Sequence, residues 1–312
     1  MELSIVIPIY NEADSVNKLY NELKSSLDSL GRSYEIIAVD DGSSDKTFEK
    51  LSELHHKDST FKVIQFRRNF GQTAAMSAGF DAAQGDVIVT LDADLQNPPS
   101  QIPKLLAEME KGDFDIVSGW RQKRHDGFLR KLLSRQANRM IGWLTDVKLH
   151  DYGCSLKAYR KEVIKDIRLY GELHRFIPAV ASQVGARITE VPVEHRSREF
   201  GKSKYGFSRI LRVFLDLFLL KFLLTYSKRP IHFFGWWGLL SSGIGLIIAV
   251  YLAFVRIVLQ ESIGNRPLLI MSVLLMVLGV QFIMMGILGE ITIRTYYESQ
   301  GKKIYNTRKQ LL

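Results

Sequence analysis

Two long runs without charge set the first limit on what this chain can become. From Ile231 to Val255 the sequence is almost uncharged, and from Leu268 to Gly289 it is uncharged throughout. About 20 consecutive apolar residues let a helix cross the hydrocarbon of a bilayer, and a helix buried in a soluble core normally keeps the polar face that these runs lack. The pair predicts a two-helix transmembrane hairpin over 230–293, with spans near 231–255 and 268–290. Cytoplasmic flanks collect Lys and Arg. Nine such residues stand against two acids between Arg196 and Arg229, and Arg294, Lys302, Lys303, Arg308 and Lys309 follow the second run, while the connecting loop holds only Arg256 and Arg266. The expectation is a multi-pass protein of the inner or plasma membrane, with the rest of the chain and a basic tail at 294–312 in the cytoplasm. Between Tyr205 and Thr225, Arg209, Arg212, Asp216 and Lys221 punctuate an apolar background, a pattern for helices lying in the membrane interface, placed at 205–229.

The net charge of +9 needs a partner, and its position says which. Excess cations cluster beside the spans and between Arg121 and Arg139, which points to membrane lipids or a phosphorylated lipid rather than nucleic acid. A single cysteine, Cys154, excludes an intrachain disulfide and fits a reducing compartment.

Residues 1–204 read as one α/β domain. Leu3 to Ile9 forms an apolar strand, followed by a helix with Val16, Leu19, Tyr20, Leu23 and Leu27 at helical spacing. Strands at Tyr34 to Val39, Lys62 to Phe66 and Val87 to Leu91 alternate with helices at Lys46 to His55 and Thr73 to Ala83, and Asp115 to Ser118 and Ile188 to Val193 add later strands. Such alternation predicts a mostly parallel sheet with flanking helices. The first four strands end at polar clusters: Tyr10-Asn11-Glu12, Asp40-Asp41-Gly42, Arg67-Arg68-Asn69 and Asp92-Ala93-Asp94. Open α/β sheets bind their ligands along that carboxyl edge.

One of those clusters carries chemistry. Asp92, Asp94 and Gln96 set three oxygens at alternate positions after an apolar strand, and a Pro98-Pro99 turn follows. Oxygen ligation suits Mg²⁺ or Mn²⁺ bridging a carboxylate and a diphosphate. A solvated, capped turn produces the same composition, since Asp and Asn favour turns. Asp40 to Asp45, taken alone, fits a helix cap as well as a binding loop.

The three motifs together, Val6-Ile-Pro8-Ile-Tyr10-Asn-Glu12, Asp40-Asp-Gly-Ser-Ser-Asp45 and Leu91-Asp92-Ala-Asp94-Leu-Gln96, resemble glycosyltransferase family 2, inverting enzymes of GT-A fold that use nucleotide-sugar donors. Asp151-Tyr-Gly-Cys154, Arg198-Glu-Phe-Gly-Lys-Ser-Lys204 and the hairpin resemble its polyprenyl-phosphate branch, which includes dolichyl-phosphate mannose synthases and bactoprenol glucosyltransferases. By that resemblance Pro8, Tyr10, Glu12, Asp40, Asp41, Gly71, Gln72, Asp92 and Ala93 contact the nucleotide sugar. Asp94 and Gln96 hold the divalent metal, and Asp92 joins them or contacts the sugar. Arg121, Arg130, Ser134, Arg198 and Lys204 bind the acceptor phosphate. Asp92 and Asp151 are the candidate catalytic residues. Asp151 aligns with a carboxylate proposed as a base, but orienting the acceptor or an arginine would leave the same signal.

The resemblance implies transfer of one sugar from a nucleotide diphosphate sugar, with UDP favoured, to polyprenyl (undecaprenyl) phosphate at the cytoplasmic face, and a homo-oligomer such as a tetramer. Gly235, Gly238, Gly243, Gly245, Gly279, Gly286 and Gly289 permit close helix contacts. GDP-mannose-dependent synthesis and an inactive nucleotide-sugar-binding protein are the alternatives. A processive synthase fits less well, because its Gln-x-x-Arg-Trp motif is absent.

Overall fold

The computed structural model describes residues 1–122, 141–142, 145, 147–165, 167, 173–182, 184–197, 222, 226 and 230–299. The chain divides into two compact units, Met1–Leu217 and Phe218–Leu312.

In the first unit the elements run β1 (Leu3–Ile9), α1 (Val16–Asp28), β2 (Tyr34–Asp40), α2 (Thr47–Lys57), β3 (Phe61–Gln65), α3 (Gln72–Ala82), β4 (Val87–Thr90), α4 (Ile102–Gly112), β5 (Ile116–Arg121), β6 (Lys157–Arg160), α5 (Lys161–Lys165), α6 (Ile177–Ser182) and β7 (Ile188–Val193). Short 3₁₀ turns at Pro99–Gln101 and Leu173–Phe176 lead into α4 and α6. The seven strands lie in the order β3-β2-β1-β4-β6-β5-β7. Six point the same way, and β6 runs antiparallel between β4 and β5.

Period-two side-chain alternation gives the central strands β1, β2 and β4 two buried faces, while the edge strands β3 and β7 are partly exposed. Leu3, Ile5, Ile7 and Ile9 of β1 pack with Leu19, Leu23 and Leu27 of α1, Leu51 of α2 and Ile102, Leu105 and Leu106 of α4. Val6 faces the other way, with Ile37, Val39 and Ile88, onto Ala75 and Met76 of α3, Ile164 of α5 and Ile177 of α6. Small residues let α3 lie close to the sheet, where a side chain at Gly79 would collide with Val6. The mostly parallel sheet with flanking helices is the expected GT-A-like architecture. The reversed direction of β6 is a finding that no spacing in the sequence announced.

The second unit holds α7 (Pro230–Ile257) and α8 (Pro267–Ser299). Both are long and apolar enough to cross a membrane, and large apolar side chains such as Trp236, Leu246, Ile270 and Leu288 are exposed along them. The helices meet on small residues. A Cβ on Gly238 would lie 2.7 Å from the Gly279 carbonyl oxygen, and one on Gly245 would lie 2.9 Å from that of Ser272. Two hydroxyls lock this approach: Ser241 donates to the Leu275 carbonyl at 2.8 Å and Ser272 to that of Gly245 at 2.9 Å. Gly238, Gly245, Gly279 and Gly286 therefore serve contacts within the hairpin, while Gly243 has open space around it. The predicted interfacial helices at 205–229, apart from Phe222 and Tyr226, and the tail beyond Ser299 lie outside the described residues.

The same substitution should have opposite effects at two of these glycines. Gly279→Ala places a methyl 2.6 Å from the Gly238 carbonyl oxygen and is expected to cost about 1–3 kcal/mol by overpacking. Gly243→Ala should gain up to about 1 kcal/mol from helix propensity. Unfolding of both variants in detergent micelles measures the contrast.

Candidate active site

The site forms where strand ends align. Ile9 pairs with Asp40 across β1 and β2, and Val6 pairs with Thr90 across β1 and β4. Asp40 and Asp92 therefore finish strands on either side of β1, about 10 Å apart at the usual strand spacing. Between them lie Pro8 and Tyr10, both half-buried.

The Asp40 edge is a web of turn hydrogen bonds. Ser43 N–H donates to Asp40 Oδ1 at 3.0 Å. Asp40 Oδ2 is buried and has no hydrogen-bond donor among the described residues. Asn11 sits at a left-handed φ of 52°, with its Oδ1 accepting the Ser44 N–H at 2.8 Å and its own N–H donating to Ser43 Oγ at 2.9 Å. Glu12 turns toward its own helix, accepting a hydrogen bond from Ser15 Oγ at 3.1 Å. Asp41 accepts the Phe70 N–H at 2.7 Å and the Gly71 N–H at 3.0 Å. That carboxylate shapes the loop before α3, and burial raises its pKa. Gly71 adopts φ +94° with nothing near its missing Cβ, so conformation and not packing calls for glycine there.

The acidic turn is pinned from two directions. Gln72, first residue of α3, donates from Nε2 to Asp92 Oδ1 at 2.7 Å. Ser155 receives the Asp92 N–H at 3.2 Å and Asn97 Nδ2–H at 3.0 Å on one hydroxyl oxygen, and its carbonyl accepts from Thr90 Oγ1 at 2.7 Å. Leu95 occupies the left-handed region at φ 60° and is 1% exposed. For a leucine this is a strained conformation. It is held by burial of the side chain and by the Gln96 N–H donating to Asp94 Oδ1 at 3.1 Å. Ala93 is buried beside it. Arg196 N–H donates to the Gln96 carbonyl at 2.9 Å, so the chain leaving β7 crosses this turn.

Burial, reinforced by the Asp94 charge, pushes the Asp92 carboxyl up to about 6. Two carboxylates so placed repel each other and favour a cation. Among the described residues no group of three His, Cys, Asp or Glu side chains could hold an ion by itself. Magnesium commonly accepts one or two carboxylates and takes its remaining oxygens from phosphates and water. The donor set at Asp92 and Asp94 fits that manner of binding.

Beside the acids lies a clamp. Arg121 ends β5 and donates from Nε to Asp151 Oδ2 at 2.6 Å and from Nη2 to Oδ1 at 3.0 Å. Gly153 N–H adds a bond to Oδ1 at 3.1 Å. Asp151 is 2% exposed. A bidentate guanidinium contact fixes both partners in one plane, and the Arg121 charge reaches Asp92, where it favours the carboxylate. Arg130, Ser134, Arg198 and Lys204 lie outside the described residues.

Four residues of this region escaped the reading of the sequence: Ser155, which pins the acidic turn, and Lys157, His174 and Arg175. Lys157 opens β6, fully buried, with its ammonium on the carbonyls of Tyr152 at 3.1 Å and of Cys154, and burial lowers its pKa. A lysine inside Leu156-Lys157-Ala158-Tyr159 was the available signal. His174 and Arg175 sit next to the start of α3, where His174 Nδ1 and Thr73 Oγ1 are 2.6 Å apart. No local pattern marked them.

The sheet, its acidic strand end and the neighbouring arginine define a glycosyltransferase of GT-A type. The chain belongs to glycosyl transferase family 2, whose model matches residues 4–168. It is similar over nearly its whole length to a dodecaprenyl-phosphate galacturonate synthase of Rhizobium johnstonii, 46% identical across 99% of this chain and 93% of that protein. An undecaprenyl-phosphate 4-deoxy-4-formamido-L-arabinose transferase of an Enterobacter species is 38% identical across 97% and 92%. Among solved structures, glucosyl-3-phosphoglycerate synthase of Mycobacterium tuberculosis, in complex with Mn²⁺, UDP and phosphoglyceric acid, matches with a TM-score of 0.56 at 17% identity over 72% of this chain and 78% of that one. At that identity the likeness is one of fold.

The Arg121–Asp151 pair should behave as one unit. Arg121→Ala or Asp151→Ala alone leaves a buried charge unpaired and is expected to cost about 3–5 kcal/mol. The double variant should cost clearly less than the sum, and a double-mutant cycle by urea unfolding reads the coupling.

Proposed function

We propose that the chain transfers a single sugar, with inversion at the anomeric carbon, from a nucleotide diphosphate sugar to a polyprenyl phosphate at the cytoplasmic face of a membrane. The observation that carries the reading is the Arg121–Asp151 clamp lying within electrostatic reach of the acidic pair at Asp92. One half suits a departing diphosphate and the other an incoming phosphate. Both full-length relatives are, by name, polyprenyl-phosphate sugar transferases or synthases. The two apolar helices and the basic flanks provide a membrane anchor of the matching polarity.

Each residue then has a task. The orphan Oδ2 of Asp40 accepts an N–H or O–H of the nucleoside, with Pro8, Tyr10 and Gly71 shaping the surrounding wall. Asp92 and Asp94, with Gln96 beside them, hold Mg²⁺ or Mn²⁺. When bound, the ion neutralises charge gathering on the diphosphate as the glycosidic bond breaks. Gln72 keeps Asp92 in one orientation. Arg121 directs the acceptor phosphate at the anomeric carbon.

A phosphate monoester has its second pKa at about 6 and is largely a dianion at neutral pH, so its oxygen attacks without losing a proton to the protein. A carboxylate that already accepts two guanidinium bonds and a backbone N–H is a poor base. Asp151 is therefore read as the positioning residue for Arg121 and not as the proton acceptor. The donor is read as a UDP sugar from the likeness of the Asp92 and Asp151 motifs to the bacterial transferases. The relatives' names divide on the sugar: galacturonate bears a carboxylate and the formamidoarabinose none.

Purified protein in detergent, given radiolabelled UDP- and GDP-sugars, undecaprenyl phosphate and Mn²⁺, should label the lipid with at least one UDP-sugar. No labelled lipid from any donor would overturn the reading. Asp94→Ala should remove transfer and its sensitivity to EDTA while the fold persists. Asp151→Asn should raise KM for the lipid at least about tenfold, as expected for losing a charged hydrogen bond, and leave the pH dependence of kcat unchanged. A shifted pH profile would restore the base role.

A further inference from the structure

A bidentate ion pair fixes its two partners relative to each other, and not relative to the rest of the protein. Arg121 and Asp151 form such a pair, with contacts of 2.6 and 3.0 Å. Arg121 ends β5, where the ladder to β7 sets its backbone opposite Val193. Asp151 lies outside any strand. Its loop needs a hold of its own, or the carboxylate would follow the guanidinium instead of placing it.

Lys157 supplies that hold. It opens β6 opposite Thr90 of β4 and Ser118 of β5 and is 3% exposed. Its ammonium donates to the carbonyl of Tyr152 at 3.1 Å and to that of Cys154. Those two carbonyls flank Gly153, the exposed residue of the loop, whose N–H donates to Asp151 Oδ1 at 3.1 Å. The chain from Asp151 to Lys157 therefore closes on its own last side chain.

The far end of the loop is tied down separately. Ser155 accepts from the Asp92 and Asn97 N–H groups, and its carbonyl accepts from Thr90 Oγ1. Those bonds set Ser155 against β4 but leave Asp151 joined to it through Tyr152, Gly153 and Cys154. The buried Tyr152 ring is anchored by its hydroxyl, which donates to the Val147 carbonyl at 2.6 Å. Its carbonyl is oriented by Lys157. Burying a cation costs free energy that a neutral donor would not, but a charged donor holds an acceptor about twice as strongly. The charge is also felt at Asp151 and Asp92, which makes it less costly there.

Resting on the transfer reading above, we propose that Lys157 is a positioning residue for the acceptor: by binding the carbonyls on both sides of Gly153 it fixes Asp151, and through Asp151 the Arg121 guanidinium that receives the acceptor phosphate. Lys157 is buried, so it acts through the loop and touches neither substrate.

The test compares full-length wild type, Lys157→Met, Lys157→Arg, Asp151→Asn and the Lys157→Met/Asp151→Asn double variant in transfer to undecaprenyl phosphate, with UDP affinity in Mn²⁺ measured by calorimetry. Lys157→Met should raise KM for the lipid about ten- to a hundredfold, the range of a charged hydrogen bond. UDP affinity should stay within about twofold of wild type, the scatter expected for an independent site. Lys157→Arg, which keeps a charged donor, should recover part of the loss. In the double variant the lipid KM should rise little beyond that of Asp151→Asn, because both changes act through one contact. An unchanged lipid KM, effects that multiply in the double variant, or an equal loss of UDP affinity overturns the proposal. If Lys157→Met does not fold, Lys157→Gln carries the same comparison, its neutral amide giving weaker bonds to those carbonyls. A wild type that labels no lipid overturns the transfer reading and this inference with it, whereas labelled lipid with an unchanged variant KM overturns this inference alone.

Discussion

Strand β6 runs against its neighbours, and the site depends on that reversal. A parallel strand there would enter the sheet from the opposite edge and carry the loop before it away from the ligands. Running antiparallel, with Thr90 opposite Lys157 and Ser118 opposite Lys157 on the other side, β6 delivers residues 151–156 to the carboxyl ends of β4 and β5. Ser155 can then bind the acidic turn, and Asp151 can meet Arg121. The acidic turn after β4 and the Arg121–Asp151 pair at the end of β5 are thereby joined through β6, the strand between them.

Charge is managed by the same loop. Two cations, Arg121 and Lys157, and three carboxylates, Asp92, Asp94 and Asp151, crowd a region that burial makes costly for any of them. Arg121 and Asp151 neutralise each other, and Lys157 is tolerated because two carbonyls and nearby acids answer it. Asp92 is pushed up to about 6 by burial and by the Asp94 charge, against the opposing pull of Arg121 and Lys157. His174 escapes the cost by staying neutral. Perturbed groups of this kind gather at functional sites.

Much of this was legible in residue order. Apolar runs bounded by Asp, Asn and Gly located β1, β2 and β4 to within a residue or two, because a strand buried on both faces must be largely apolar. The clusters ending the first four strands indicated one edge before any pairing was known. The motif at Asp92 to Gln96 named the acids, and Asp151 and Arg121 were each singled out. Their contact was not: 30 residues separate them, and no periodicity joins a strand end to a distant loop. Lys157, Ser155, His174 and Arg175 were passed over for the same reason. Their importance lies in partners that come from other strands.

By itself the sequence determined the alternating α/β pattern, the acidic strand end, the two apolar helices and the family motifs, since each is written in local spacing or in charge that water and lipid sort directly. Only the tertiary structure decided the direction of β6, the pairing of Arg121 with Asp151, the use of Gly238, Gly245 and Gly279 inside the hairpin, and the contact of His174 with Thr73. These are long-range pairings, and packing of the whole sheet selects among the many that local chemistry permits.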